Sequence, residues 1–380
     1  MTSEIVAKDF LMAVVNEARL HRLPSLTVRS ILLDLDLLSI DLVKNEVHIL
    51  AGQKEFHDAL APIRSKGPSE AIDDLPNYED LRTAVWHTIR LPDEVIRPIC
   101  DEINEAAKQR KDPYRYPMQT AFAIDTNIAY HRLLTRMFLR SDVLERIGLR
   151  PRDVQIIVSN LVEEEISRSI ARKYSRSDIA DLQHAIRDQV LVRGMSNICY
   201  KKGRKALNAQ AEIDVLGRTA SLWRVGGGRA REDKESLDDE IVRSLAEHSS
   251  DQRLEVIFLT GDDKCRAHAF SHKLPSILVE FPKEIPRVMS FDPWLLVEML
   301  YDLSLNFVGL HLVELDLKII GDWSGKSAED YHAEKVKLVI APESPVEVRL
   351  KQDLEIVRRL QSTDEEFERA SRDIPRGSVT

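Results

Sequence analysis

Four short stretches of the 380-residue chain hold carboxylates where chemistry is conceivable: Asp125 in AFAIDTNIAY (121–130), Glu163, Glu164 and Glu165 in NLVEEEISR (160–168), Asp238 and Asp239 in SLDDEIVRSL (236–245), and Asp262 and Asp263 in VIFLTGDDKCRAHA (256–269). None of these acids is set in a pattern with a His or Cys nucleophile. Carboxylates gathered at one point repel, and without a counter-charge some take up protons. Hard divalent cations relieve that repulsion, and Mg2+ or Mn2+ favours all-oxygen ligands. Such a site activates water for in-line displacement at phosphorus, which points to phosphodiester hydrolysis rather than acyl transfer.

Those acids need a sheet edge to meet. Four short, apolar, β-branched runs at 120–124, 154–159, 255–259 and 276–279 alternate with helical patterns. That texture predicts a mostly parallel sheet covered by helices. Asp125 closes the first run, at the edge where open α/β sheets place their ligands, although an Asp there also caps a following helix. Successive residues on a helix point about 100° apart, so not all three glutamates face that edge. Glu165, beside the apolar Ile166, is the inward choice, with Glu164 in reserve. Asp238 lies one turn before the stripe of Ile241, Val242 and Leu245, with Asp239 as the alternative. Asp262 follows a Thr-Gly turn, whereas Asp263 begins the exposed side of the next helix.

The ordered set IDTN (124–127), EEEISR (163–168), DDEIVRSL (238–245) and LTGDDKCRAHA (259–269) resembles PIN-domain nucleases over residues 118–282. The resemblance implies an α/β fold, a PIN-like (Rossmann-like) α/β/α sandwich around a central, mostly parallel sheet. It also implies a divalent-metal-dependent endonuclease holding Mg2+ or Mn2+, with RNA favoured over DNA as substrate. Position by position it assigns metal-binding and catalytic roles to Asp125, Glu165, Asp238 and Asp262, and supporting roles to Asn127 and Thr260, which orient the acids.

The chain carries a net charge of −9, yet residues 166–231 hold 14 Lys plus Arg against 5 Asp plus Glu, a local +9. This interval is longer than small family members need. It reads either as a helical insertion with solvated basic faces or as a strand-guiding arm whose cations contact phosphates. The arm reading is preferred because its charge opposes the rest of the chain. Its nucleic-acid-binding candidates are Arg172, Lys173, Lys201, Lys202, Arg204, Lys205, Trp223, Arg224, Arg229 and Arg231, with Tyr174, Tyr200 and Trp223 as stacking surfaces.

Three domains are expected: a helical N-terminal domain over 1–115, including the leucine-dense 28–43 and a helix over 93–109; the nuclease-like domain over 116–288, set off by prolines at 113 and 117; and a C-terminal α+β region over 289–380. The last has a helix at 293–305, an alternating strand at 313–319, a return strand at 334–340, and a charged terminal helix fit for docking or a dimer contact. Histidines 21, 48, 57 and 87 match no metal spacing. Cys100, Cys199 and Cys265 form no CxxC pair, which fits a reducing compartment. With no apolar run able to span a membrane, the expectation is a cytoplasmic protein, with assembly through the flanking segments. Two rivals exist. A haloacid-dehalogenase-type phosphatase needs a second Asp where Asn127 stands. A PIN-like scaffold with a degraded site would bind RNA or protein without cleaving.

Overall fold

Strand pairing divides the computed structural model into two sheets; residues 2–89, 97–99, 101, 119–136, 155–226, 234–252, 254–280 and 282–372 are described. The first four strands are β1 (Thr2–Ala7), β2 (Ser25–Ser30), β3 (Leu35–Asp41) and β4 (Glu46–Ile49). Five follow: β5 (Gln119–Ile124), β6 (Gln155–Ser159), β7 (Ser221–Val225), β8 (Leu254–Thr260) and β9 (Ser276–Leu278). The last four are β10 (Val288–Ser290), β11 (Gly309–Leu312), β12 (Leu317–Ile320) and β13 (Lys335–Ile340).

The outer groups combine into one antiparallel sheet in the order β1-β13-β12-β11-β2-β3-β4-β10. This corrects two expectations. The segment 1–115 is not a helical domain, and its strands share a sheet with the C-terminal region instead of standing apart from it. The leucine-dense stretch 28–43 is a pair of strands joined through Asp34, whose φ of +49° turns the chain. Leu26, Val28 and Ser30 are buried while their neighbours are not, the period of two that a strand imposes. The expected strand at 313–319 is interrupted. Val313–Leu315 forms a 3-10 turn, Asp316 takes φ +42°, and β12 begins only at Leu317. The helix Pro293–Asn306 is buried on nearly every side from Leu296 to Leu305, as its almost uniformly apolar composition requires. The terminal helix Glu347–Arg372 docks Leu350 and Leu354 inward, and Arg358 pairs with Glu4 of β1.

The middle group is a parallel sheet of order β7-β6-β5-β8-β9. All four expected strands lie in it. β7 was not expected, because its short run fell inside the basic segment. The chain moves outward from β5 through β6 to β7, then returns to place β8 on the other side of β5. The order therefore reverses between β5 and β8, which makes that junction the switch point of the sheet. The helices Asn160–Ile170 and Lys201–Thr219 press closely together at Gly203, where an added Cβ would stand 2.8 Å from the Ser169 carbonyl oxygen.

Buried ion pairs lie within and between the units built on the two sheets, with Arg132–Glu334 and Arg136–Asp302 among those that cross from one to the other. Arg132 meets Glu334 and Glu212, Arg136 meets Asp302 at 2.7 Å, and Lys8 meets Glu298 and Glu334. The expected boundary at 113–117 and most of the helix expected at 93–109 lie outside the described residues. Among the described residues, no helix is long and apolar enough to cross a membrane.

Candidate active site at the switch of the parallel sheet

Asp125 follows the last residue of β5 and caps the short helix Thr126–Tyr130, its Oδ1 accepting from the Ile128 amide at 2.7 Å. From the adjoining end of β8, the Thr260 hydroxyl donates to Asp125 Oδ2 at 2.5 Å and the Gly261 amide at 3.1 Å. Three donors would ordinarily depress a carboxyl. Burial outweighs them, and with the nearby charge of Asp262 it pushes Asp125 up to about 6.

Asp262 caps the helix Asp263–Ser271 through the Lys264 amide at 2.9 Å. One turn into that helix, the buried Cys265 thiol hydrogen-bonds Asp238. Burial first, then the charges of Asp238, Asp125 and Asp262, push this thiol up. Asp238 thus bonds the sulfur, and Asp125 and Asp262 act on it through their charge alone. The sequence reading passed over Cys265, although its position three residues beyond Asp262 puts it one helical turn inside the site.

Glu165 belongs to the same edge but is engaged on both oxygens. Thr126, next to Asp125, donates to Oε2 at 2.6 Å, and the Lys202 ammonium sits 3.1 Å from Oε1. The close approach at Gly203 brings Lys202 there. Glu164 turns outward to Arg168, and Glu163 pairs with Arg224 at 2.9 Å. Asp239 is gripped by His268 at 3.1 Å and His272 at 2.9 Å, and Asp263 pairs with Arg266. Asn127 packs on Gly261 and lines the adjoining cleft. Among the described residues, its side chain hydrogen-bonds none of the four acids, unlike the role that the resemblance implies.

The acids do not close into a tight ligand set. Among the described residues, the one group of three or more His, Cys, Asp or Glu with ligand atoms all within 4.8 Å of one another is Asp41, Glu46 and His48. Strand pairing forms that group by setting Asp41 opposite Glu46 and bringing His48 in beside them. At the sheet switch, the donors suited to a hard cation are the oxygens of Asp125, Asp238 and Asp262. Burial is the main cause of the raised Asp125 carboxyl, with the charge of Asp262 a lesser one, and a divalent cation bound there would favour its ionised form.

The basic segment is not a free arm. It folds as the helices Arg176–Ala185, Gln189–Gly194 and Lys201–Thr219, followed by β7. Arg204 is buried and donates to the carbonyls of Leu305 (2.9 Å), Asn306 (3.3 Å) and Cys199 (2.7 Å), satisfying the end of the helix Pro293–Asn306. Lys201 and Lys205 both reach Asp80 at 2.9 Å, and Arg172 pairs with Glu70. Tyr174 and Tyr200 are buried and stacked on each other at 4.4 Å, so neither offers a face to a base. Composition revealed the positive charge but not these distant partners. Lys173, Trp223 and Arg224 keep exposed surface, while Arg229 and Arg231 lie outside the described residues.

Comparison of the chain with protein-family models, with characterised proteins and with solved structures gives no match.

Proposed function

We propose that the chain is a divalent-metal-dependent endonuclease of PIN-like fold that hydrolyses phosphodiester bonds, with RNA as the expected substrate. The observation that supports this reading is the gathering of Asp125, Asp238 and Asp262 at the switch point of a parallel sheet, near enough for all three charges to act on the Cys265 thiol. Asp125, Asp238 and Asp262 would hold Mg2+ or Mn2+, with Glu165 joining once Lys202 lets go. The bound cation supplies Lewis acidity and a lowered pKa for water. The chain's own groups do the positioning. Thr260, Gly261 and Ile128 fix both oxygens of Asp125, Thr126 orients Glu165, and the Cys265 thiol orients Asp238.

The test is incubation of labelled single- and double-stranded RNA and DNA with Mg2+, Mn2+ or chelator. Cleavage should need the cation and vanish in Asp125→Asn. Wild-type activity no higher than that variant's on every substrate refutes the nuclease reading.

One observation favours a second reading, a PIN-like scaffold that binds RNA or protein without cleaving. Glu165 is held by Lys202 and Thr126, and the four acids are not drawn tightly together. Under that reading Mn2+ binding is absent as well as cleavage.

A further inference from the structure

Beside the carboxyl edge of the parallel sheet lies a cleft of about 940 Å³, with Asn127 and Gly261 at its inner end and the helix Tyr78–Thr88 of the antiparallel unit along one wall. We propose that this cleft is the track for a single-stranded polynucleotide, with Arg82 and Lys283 as the cations that hold its phosphates. The proposal rests on the nuclease reading of the Asp125 edge and moves substrate binding from the basic segment to the antiparallel unit.

The charges decide which residues hold the strand. Lys201 and Lys205 line the cleft but are committed to Asp80, whose carboxyl they hold well below its usual range despite burial. His131 also lines it, yet burial keeps that ring neutral, pushed down to about 3. Arg82 is differently placed. Its bonds to Glu79 (3.3 Å) and to the Pro282 carbonyl (3.5 Å) are long beside the roughly 2.7–2.9 Å of a good charge-assisted bond. Its buried Nε has no hydrogen-bond partner among the described residues. Lys283 is exposed and makes no ion pair among the described residues. A phosphate at this point gains two cations without breaking a strong bond.

The extent of the track argues for a polymer. A second hollow of about 500 Å³ shares Asn77, Glu79, Arg82 and Lys283 with the first and continues past Tyr78 to Arg64. Arg82 and Lys283 therefore stand where two hollows join, and a mononucleotide would leave the outer one empty. The walls argue for unpaired bases. Tyr130, Leu278 and Pro282 line the same cleft and offer partly exposed apolar surface to base faces. A duplex hides those faces in its stack and presents only its backbone and the base edges in its grooves.

The experiment is fluorescence anisotropy with labelled 12-nucleotide single strands and the matching duplex, in chelator so that nothing is cleaved. The single strand should bind more tightly than the duplex. The R82E/K283E double variant should bind it at least 10-fold more weakly, with the salt slope reduced by roughly 1.4 for two lost phosphate contacts. K351E, at an exposed cation of the terminal helix that lines neither hollow, should bind as wild type. K283E alone changes only an exposed side chain and should weaken binding several-fold, so the idea stays testable if R82E disturbs folding. Unchanged affinity in K283E and the double variant overturns the track, as does duplex binding equal to that of the single strand. If wild type cleaves while the cleft variants bind normally, the track fails and the nuclease reading stands. If the cleft variants lose binding but wild type never cleaves, the track stands and the nuclease reading fails.

Discussion

The hydroxyl of Thr260, at the end of β8, donates to Asp125 Oδ2 across the strand junction at 2.5 Å. The same oxygen accepts the Asp262 amide at 3.0 Å, so one side chain fixes both the central acid and the turn that carries its neighbour. Thr260→Val keeps the shape and removes the donor. A buried carboxylate that loses such a bond costs about 1–3 kcal/mol. Urea unfolding at pH 7.5 should show a loss of that size, and the cleavage profile should shift to higher pH because Asp125 would hold its proton longer.

Lys202 competes with any cation for Glu165. The lysine is 61% exposed, so the pair is weak, about 0–1 kcal/mol. Lys202→Met should therefore tighten Mn2+ binding by a few-fold in calorimetry, and Glu165→Gln should weaken it. A Lys202→Met protein with unchanged Mn2+ affinity would remove Glu165 from the ligand set.

Arg204 belongs to the scaffold. Arg204→Met leaves the Leu305, Asn306 and Cys199 carbonyls without their donor in a buried setting. The expected cost is about 2–5 kcal/mol in chemical unfolding, with oligonucleotide affinity and its salt dependence unchanged in the folded fraction. A variant that unfolds like wild type but has a reduced salt slope would return this residue to the substrate surface.

Two buried histidines set an acid limit. The rings of His87 and His131 lie with centroids 4.0 Å apart, tilted by 45°. Burial pushes both below the ordinary 6.5, His131 to about 3. The unfolded chain thus binds protons that the folded one refuses. Their stabilisation is complete above pH 6.5 and is lost as pH falls towards 3. Between pH 7 and 5 this amounts to about 2 kcal/mol for His131, and His87 acts in the same direction. Asp125 acts in the opposite sense, since a carboxyl raised from 3.8 to about 6 takes its proton first in the folded state. Urea midpoints at pH 7 and 5 should show a net loss, smaller in His131→Leu.

How much of this was legible follows from the range of each interaction. The parallel strands and their acids could be read because apolar runs, a terminal carboxylate and a helical pattern all lie within about ten residues of one another. Asp125, Asp238 and Asp262 needed only that local pattern. The antiparallel sheet could not be read in the same way. Thr2 pairs with Ile340, and β2 finds β11 far along the chain, so no window of sequence contains both partners. The period-two burial of β2 was visible in SLTVRS, but the run of leucines after it favoured a helix. The same limit governed the basic segment, where Arg204 and Lys201 find their partners at Leu305 and Asp80.

The pairing of β1 with β13 also orders events during synthesis. Among the described residues, the parallel sheet has all its strands once β9 has been made, whereas β1 has its sole strand neighbour in residues 335–340. Emerging from the ribosome, the inner unit can acquire its core while the strands that flank it in sequence still wait. β1 stays an unpaired edge until residues 335–340 have been made, and such edges invite aggregation. Thr2, Ser3 and Glu4 keep the first half of the strand polar, which shortens the apolar edge to Ile5, Val6 and Ala7 while it waits.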